Sequence, residues 1–407
     1  MSKLSPELIT DILSRLPVKS LLRFRRVSKP WRSQIDSPGF AKLHLHRSIQ
    51  SGSNLCLALG DLLKTGKLLH SVSLASLDAL HIPIELKTLN NAKVTVLGSC
   101  DGLCLLQGGP NDDAAVLFNP STRKYRCLPA TPIEYPKKCA NYFLSFGFGY
   151  DFVNDDYKVL KTTEFRNKRD GWISTGAKVF SLKSNTWKTV QNFGGGCHPP
   201  YPNRQVWGVH VKGFLHTVMK LSTKPHGSPI AVLGFDLGAE KCSFVALPDF
   251  ASTEKNLFER NVVKFGGCLC VLDVYGDFRT DVWVMKEYGV RESWSKVASV
   301  APPAVEPYAC VTPLVYSKCG REIMLNYDDK KLIWYDLERK TVRDAPVRRL
   351  RHLCPGEVYV ESLVSLDGYG KVDGVKTQME EDKSKEKKTR KRNLLKNRPN
   401  VLGEIGQ

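Results

Sequence analysis

Apolar positions in this chain follow one period near its start and another over most of the remainder. Leu8, Ile9, Ile12, Leu13 and Leu16 recur at helical spacing and form one stripe. Ser5 suits the cap of that helix, Pro6 its first position, and Glu7 the first turn beside the positive end of the dipole. Pro17 stops it, because the residue before a proline avoids the α region. A second short helix is expected from Ser20 to Arg25, with Leu21, Leu22 and Phe24 apolar. Ser28 caps a third, with Pro30 in its first turn and Trp31 and Ile35 facing inward, and a fourth runs from Ser37 to Arg47. Such a segment is too small to fold usefully alone and too apolar to stay in water, so it asks for a partner.

From about residue 50 to 366 the period shifts to strand-like runs separated by Gly, Pro, Asn and Asp turns. Each unit opens on a Gly or turn and a strand such as GLCLL (Gly102–Leu106) or GFLHTV (Gly213–Val218). A hairpin follows, then an aromatic strand ending in Asp or Asn, as in GFDL (Gly234–Leu237) or WYDL (Trp334–Leu337). A polar turn and a Trp or Leu-Pro close it. Units recur about every 35 to 45 residues, the range of propeller blades built from four short strands. One blade cannot bury both faces, so several must stack around an axis. Five units are recognisable. Strands near Leu55–Leu80 and Val358–Leu366 can combine into a sixth that closes the ring and removes an open edge. An irregular β-sandwich is the competing architecture.

The stretch Leu4–Ile35 resembles the F-box. The resemblance rests on the leucine-rich first helix, the joint Leu16-Pro17-Val18-Lys19-Ser20-Leu21, the pair Arg23-Phe24, and Val27-Ser28-Lys29 before Trp31. The family's Leu-Pro start is Leu4-Ser5-Pro6 here, with the proline one place late. The resemblance implies docking on a Skp-type adaptor and, through it, a cullin. The residues it carries over to that contact are Leu4, Pro6, Leu8, Ile12, Leu13, Leu16, Pro17, Leu21, Leu22 and Val27, with Trp31 as internal packing. The strings FNPSTRKYRCLP (Phe118–Pro129), FGFGYDFVNDDYKVLK (Phe146–Lys161), KVFSLKSNTWKTV (Lys178–Val190) and DVWVMKEYGVRESWSKV (Asp281–Val297) resemble the plant F-box-associated domain, which is related to kelch-type propellers. That resemblance implies a domain that recognises a target protein. Some relatives set plant immune-receptor levels, which makes a defence-related target an expectation.

The fold class expected is therefore multidomain. A small all-α F-box module spans residues 1–48, an all-β propeller-like domain 49–366, and a charged, disordered tail 367–407. The implied function is that of a non-catalytic substrate receptor in a ubiquitin-protein ligase. The rival reading is a nucleic-acid-binding or scaffold propeller without a ligase role.

Composition narrows this. Of 407 residues, 42% are hydrophobic and 25% charged, enough for packed cores. Residues 1–20 lack a secretory signal pattern, and no apolar stretch approaches the roughly 18 to 20 residues needed to cross a membrane. Twelve cysteines spread along the chain read as reduced thiols of a cytosolic or nuclear protein. The net charge of +19 attracts polyanions without specificity, but the cations lack a stripe interleaved with stacking aromatics. An acidic protein partner fits better, and nucleic acid is not expected. Lys387, Lys388, Arg390, Lys391 and Arg392 form a nuclear-import candidate, so the nucleus and cytoplasm are both expected.

No catalytic fingerprint is present. Asp155-Asp156 and Asp328-Asp329 sit in turn contexts, where turn chemistry explains paired carboxylates. Cys268 and Cys270 alternate with Leu269 on a strand and share one face, and Cys100/Cys104 is not a zinc spacing, so no metal or cofactor is expected. His44 and His46 read as surface residues. Gly194-Gly195-Gly196 reads as a flexible loop and a candidate rim of a binding face.

Overall fold

A computed structural model describes residues 5–59, 68–77, 79–83, 94–107, 114–137, 139–168, 172–197, 207–220, 230–248, 257–302, 304–306, 310–347, 356–366 and 375–377. Four helices come first: α1 (Pro6–Ser14), α2 (Val18–Phe24), α3 (Lys29–Ile35) and α4 (Pro38–Gln50). Serine hydroxyls cap three of them. Ser5 Oγ accepts from Leu8 N at 3.4 Å, Ser28 Oγ from Trp31 N at 3.3 Å, and Ser37 Oγ from Phe40 N at 3.2 Å. The second helix begins at Val18 rather than Ser20. Pro17, extended at φ −59° and ψ 146°, both ends the first helix and caps the next.

Six antiparallel sheets follow, five of four strands and one of five, and their first strands lie side by side around one axis. Five blades take their strands in chain order from residues 95–127, 141–189, 209–245, 257–300 and 311–344. The sixth is composite. Its innermost strand is Gly356–Val360, paired with Leu55–Leu59 in the register Leu55 to Val360, and Leu68–Ser73 and Ala79–Pro83 lie outside. The closing sixth unit expected from sequence is thus present, and the sheets are radial rather than stacked as a sandwich.

Both faces of the blades' middle strands are buried, which is why strands such as Leu103–Gln107 and Ala115–Asn119 read as continuous apolar runs, whereas outer strands such as Thr186–Thr189 and Val342–Asp344 are largely exposed. Six separate cores fill the six gaps between blades. Leu103 and Leu105 point into the gap with the second blade, while Cys104 and Leu106 point into the gap with the closing blade. Cys270 and Leu272 face the fifth blade, Leu269 and Val271 the third. The shared face of Cys268 and Cys270 follows from this alternation.

The repeated polar letters have local causes. Asn119, Asp151, Asp236 and Asp336 each accept backbone N–H groups two and three residues on, at 2.7 to 3.2 Å. The residue four places on, Arg123, Asp155, Glu240 or Lys340, then takes a positive φ. The tryptophans tie blades together. Trp187 Nε1 donates to Pro129 O at 2.8 Å and Trp294 Nε1 to Ala246 O at 2.9 Å, each reaching the Leu-Pro exit of the preceding blade.

One short element lies within the segment expected to be tail. Val375–Thr377 is a strand, paired with the first blade's outer strand Lys124–Cys127. An open blade edge offers unpaired backbone groups to any extended segment. The remainder of the tail, including Lys387, Lys388, Arg390, Lys391 and Arg392, lies outside the described residues.

Glycines 147 and 149 lie where the second blade's inner strand meets the third blade. A Cβ at Gly147 would overlap the Trp207 backbone carbonyl, and one at Gly149 the His210 ring. Gly39, in the first turn of α4, has open space around it. Gly147→Ala is expected to lower stability by about 1–3 kcal/mol in denaturant unfolding, as overpacking does. Gly39→Ala is expected to leave stability unchanged or raise it, by less than about 1 kcal/mol. Equal effects at the two positions would contradict this packing.

Candidate docking face on the helical module

The helical module divides its apolar residues between an inside and an outside. Leu8 and Ile12, one turn apart on α1, are 53% and 49% exposed, and Val27, in the turn after α2, is 64% exposed. Pro6 and Pro17 are exposed, and Ile9, Leu16 and Leu22 are half-buried. Together these residues present an apolar surface around the Leu-Pro joint. Leu4 lies outside the described residues.

Leu13 and Leu21 do not belong to that surface. They are 1% and 0% exposed and form the module's interior with Val18, Ile35, Phe40 and Ala41. Helical geometry explains the split. Leu13 sits about 100° around α1 from Ile12, so one faces the neighbouring helices while the other faces water. Trp31 packs inward, its ring edge-on to Phe24 at 5.6 Å.

His44 is also interior, against the surface position expected for it, whereas His46 is exposed. Its Nε2 donates to Leu16 O at 2.9 Å, at the residue before Pro17. That carbonyl has left the helix, and the imidazole supplies its missing donor. Burial lowers the His44 pKa below its ordinary value, with the bond to Leu16 opposing.

The module is clamped to the propeller from two directions. Leu45 of α4 packs into the core between the first and second blades, and Lys42 pairs with Asp155 at 3.1 Å. In return, the six residues after the closing strand run between module and propeller. Leu363 enters the helical core, while Val364 and Leu366 enter the blade core. The fully buried Asn119 holds this strap, its Nδ2 donating to Ser362 O at 3.2 Å and Val364 O at 2.9 Å. Ser362 Oγ donates to Asp101 O at 2.7 Å. Nothing in the sequence signalled Asn119 beyond its turn role, because its partners lie more than 240 residues away.

The acidic pairs singled out in the sequence are engaged in turns and ion pairs. Asp155 is at a turn tip bonded to Lys42, and Asp156 accepts from Lys183 N at 2.9 Å. Asp328 accepts from Cys310 N at 2.7 Å and Lys330 Nζ at 3.0 Å. Cys100 Sγ lies 3.5 Å from His210 Nδ1, a pair the sequence did not suggest. Burial drives the thiol well up and the imidazole down to about 3, the opposite of the thiolate–imidazolium pair a nucleophile needs. Every described cysteine is a free thiol, and no group of three or more His, Cys, Asp or Glu is placed to hold a metal among the described residues. The segment Phe193–Gly196 forms a 3₁₀ turn beside a side groove of about 630 Å³ between the second and third blades, lined also by Leu233, Cys242 and Phe244.

Comparison with known proteins agrees with both parts. Residues 1–43 match the F-box domain family, and residues 54–366 match the F-box associated beta propeller domain family. F-box protein CPR1 of Arabidopsis thaliana is 34% identical over 398 residues, covering 94% of this chain and 93% of that protein. A second Arabidopsis thaliana F-box protein is 31% identical over 411 residues, covering 96% of this chain and 97% of the other. A third is 30% identical, covering 89% and 83%.

His44 gives the module a pH signature. Its folded pKa is depressed, so the unfolded chain takes up a proton below about pH 6.5 that the folded chain refuses, and stability is lost as pH falls. His44→Gln keeps a donor for Leu16 O without the titration. Its stability deficit relative to wild type is expected to shrink between pH 7.5 and 5.5. Each pH unit can contribute at most about 1.4 kcal/mol. A deficit that does not change with pH in paired denaturant titrations would rule this out.

Proposed function

Because this chain belongs to the F-box proteins that carry an F-box associated β-propeller domain, we propose that it is a substrate receptor of a Skp-cullin-F-box ubiquitin-protein ligase. The observation that carries this reading is the outward apolar exposure of Leu8, Ile12 and Val27 on a module that already has a core of Leu13, Val18, Leu21 and Ile35. A folded module with no need of these three side chains, yet exposing them, is built for a partner. The Skp-type adaptor takes that face and brings the cullin with it.

The propeller holds the target. The first strands of the first two blades run toward the helical module, since the turns that follow them hold Asp101, bonded by Ser362, and Asp155, paired with Lys42, and the opposite ends of those strands form the far side. That side is free of the module and is the target side in this reading. The chain then acts by proximity. A lysine of the bound target is held near the charged conjugating enzyme, and the gain is one of effective concentration. No catalytic group of this chain is invoked. We assign the target to plant defence on the resemblance drawn from the sequence, and the site of action to nucleus and cytoplasm.

The test is co-purification of the full chain with a plant Skp-type adaptor, wild type beside Leu8→Asp/Ile12→Asp. Wild type is expected to bind and the double variant to lose at least a hundredfold in affinity. Its melting temperature is expected to stay within about 2 °C, since exposed substitutions leave stability nearly unchanged. Absence of binding by folded wild type would reject the reading.

A further inference from the structure

The positive charge is not spread evenly over the described surface. On the module side of the third to fifth blades, Lys212, Lys286, Lys318, Arg321, Arg339 and Lys340 all occupy turns and are exposed. Among the described residues, none of the six makes an ion pair within 4.0 Å. The anions on those turns are fewer or already used. Asp236 and Asp336 hold backbone N–H groups, and Glu240 pairs with Lys158 and Lys188. Glu287, Glu292 and Glu338 are exposed. The far-side turns of the fourth and fifth blades differ. There Asp277 lies beside Arg279, and Asp328 and Asp329 precede Lys330.

Position gives this surface its meaning. The helical module packs over the closing, first and second blades, leaving the same side of the next three uncovered. Around the module's apolar face, Lys19, Arg23, Arg26 and Lys29 are exposed as well. A partner seated on Leu8 and Ile12 therefore meets positive charge at the rim of its site, and the exposed module-side turns of the propeller carry the same sign.

We propose that the module-side turns of the third to fifth blades form a second docking surface, for an acidic face of the same adaptor that seats on the helical module. The proposal rests on the receptor reading above. The apolar face would supply most of the affinity. The charged surface would speed encounter and fix the adaptor's rotation about the module.

The experiment measures binding of the full-length chain to a Skp-type adaptor by surface plasmon resonance at 50, 150 and 400 mM salt. Lys212→Glu/Arg321→Glu/Lys340→Glu is expected to weaken binding at least tenfold at low salt and to flatten its salt dependence. The far-side variant Lys137→Glu/Lys168→Glu/Lys331→Glu changes net charge equally and is expected to stay within twofold of wild type. Unchanged adaptor affinity in the first variant would overturn the proposal, including when it loses affinity for duplex DNA instead. Equal weakening by both variants would overturn it too, by making net charge alone responsible. If wild type does not bind the adaptor at all, the receptor reading fails and the proposal with it. Binding that depends on Leu8 and Ile12 but not on the turns leaves the receptor reading standing alone.

Discussion

The six residues from Glu361 to Leu366 are the constraint on which the architecture turns. They follow the strand that closes the ring, and they join three separate parts of the chain. Leu363 completes the core of the helices, and Val364 and Leu366 complete a core between blades. Asn119 grips the backbone between them. A propeller needs some device to shut its ring, and a small helical module needs a surface to rest on. Here one strap meets both needs, so module and ring do not behave as beads on a linker.

Rigidity matters because proximity is the proposed mechanism. Effective concentration falls when a target can wander from the position where its lysine is attacked. The inter-blade ties serve the same end. Lys158 bonds Leu237 O at 2.7 Å and Glu240 at 3.1 Å across the second and third blades. Arg260 holds Asp273 at 2.6 and 2.8 Å and also donates to Ile230 O at 3.3 Å, joining the fourth blade to the third. Buried charges of this kind need complete partnering, so they specify one geometry rather than a range.

Local signals made much of this legible before any coordinates. Serine caps, the Leu-Pro break and the aromatic-Asp strand endings are decided within a few residues, and the elements formed where they pointed, apart from α2, which starts two residues early at Val18. The closing blade was legible because an open ring leaves an edge to be covered. What stayed hidden was decided over long separations. Helical spacing groups Leu13 and Leu8 in one apolar stripe, but they lie about 140° apart around α1, and it is Leu13 that packs with Phe40, Ala41 and Leu363 while Leu8 faces out. His44 reads as a polar residue on a surface helix until Leu16 O, 28 residues earlier, is seen to need its proton. The strand at Val375–Thr377 escaped notice for a related reason. Its charged surroundings say nothing of the unpaired edge it would meet.

The composite blade also sets a schedule for synthesis. The helices leave the ribosome first, yet the leucine that finishes their core is more than three hundred residues behind them. The strand that shuts the ring arrives only shortly before it. Until then the nascent chain carries an unfinished helical core and an open sheet edge, both surfaces that chaperones hold. A message cut short before residue 356 would yield a protein with an open ring and a helical core still lacking Leu363.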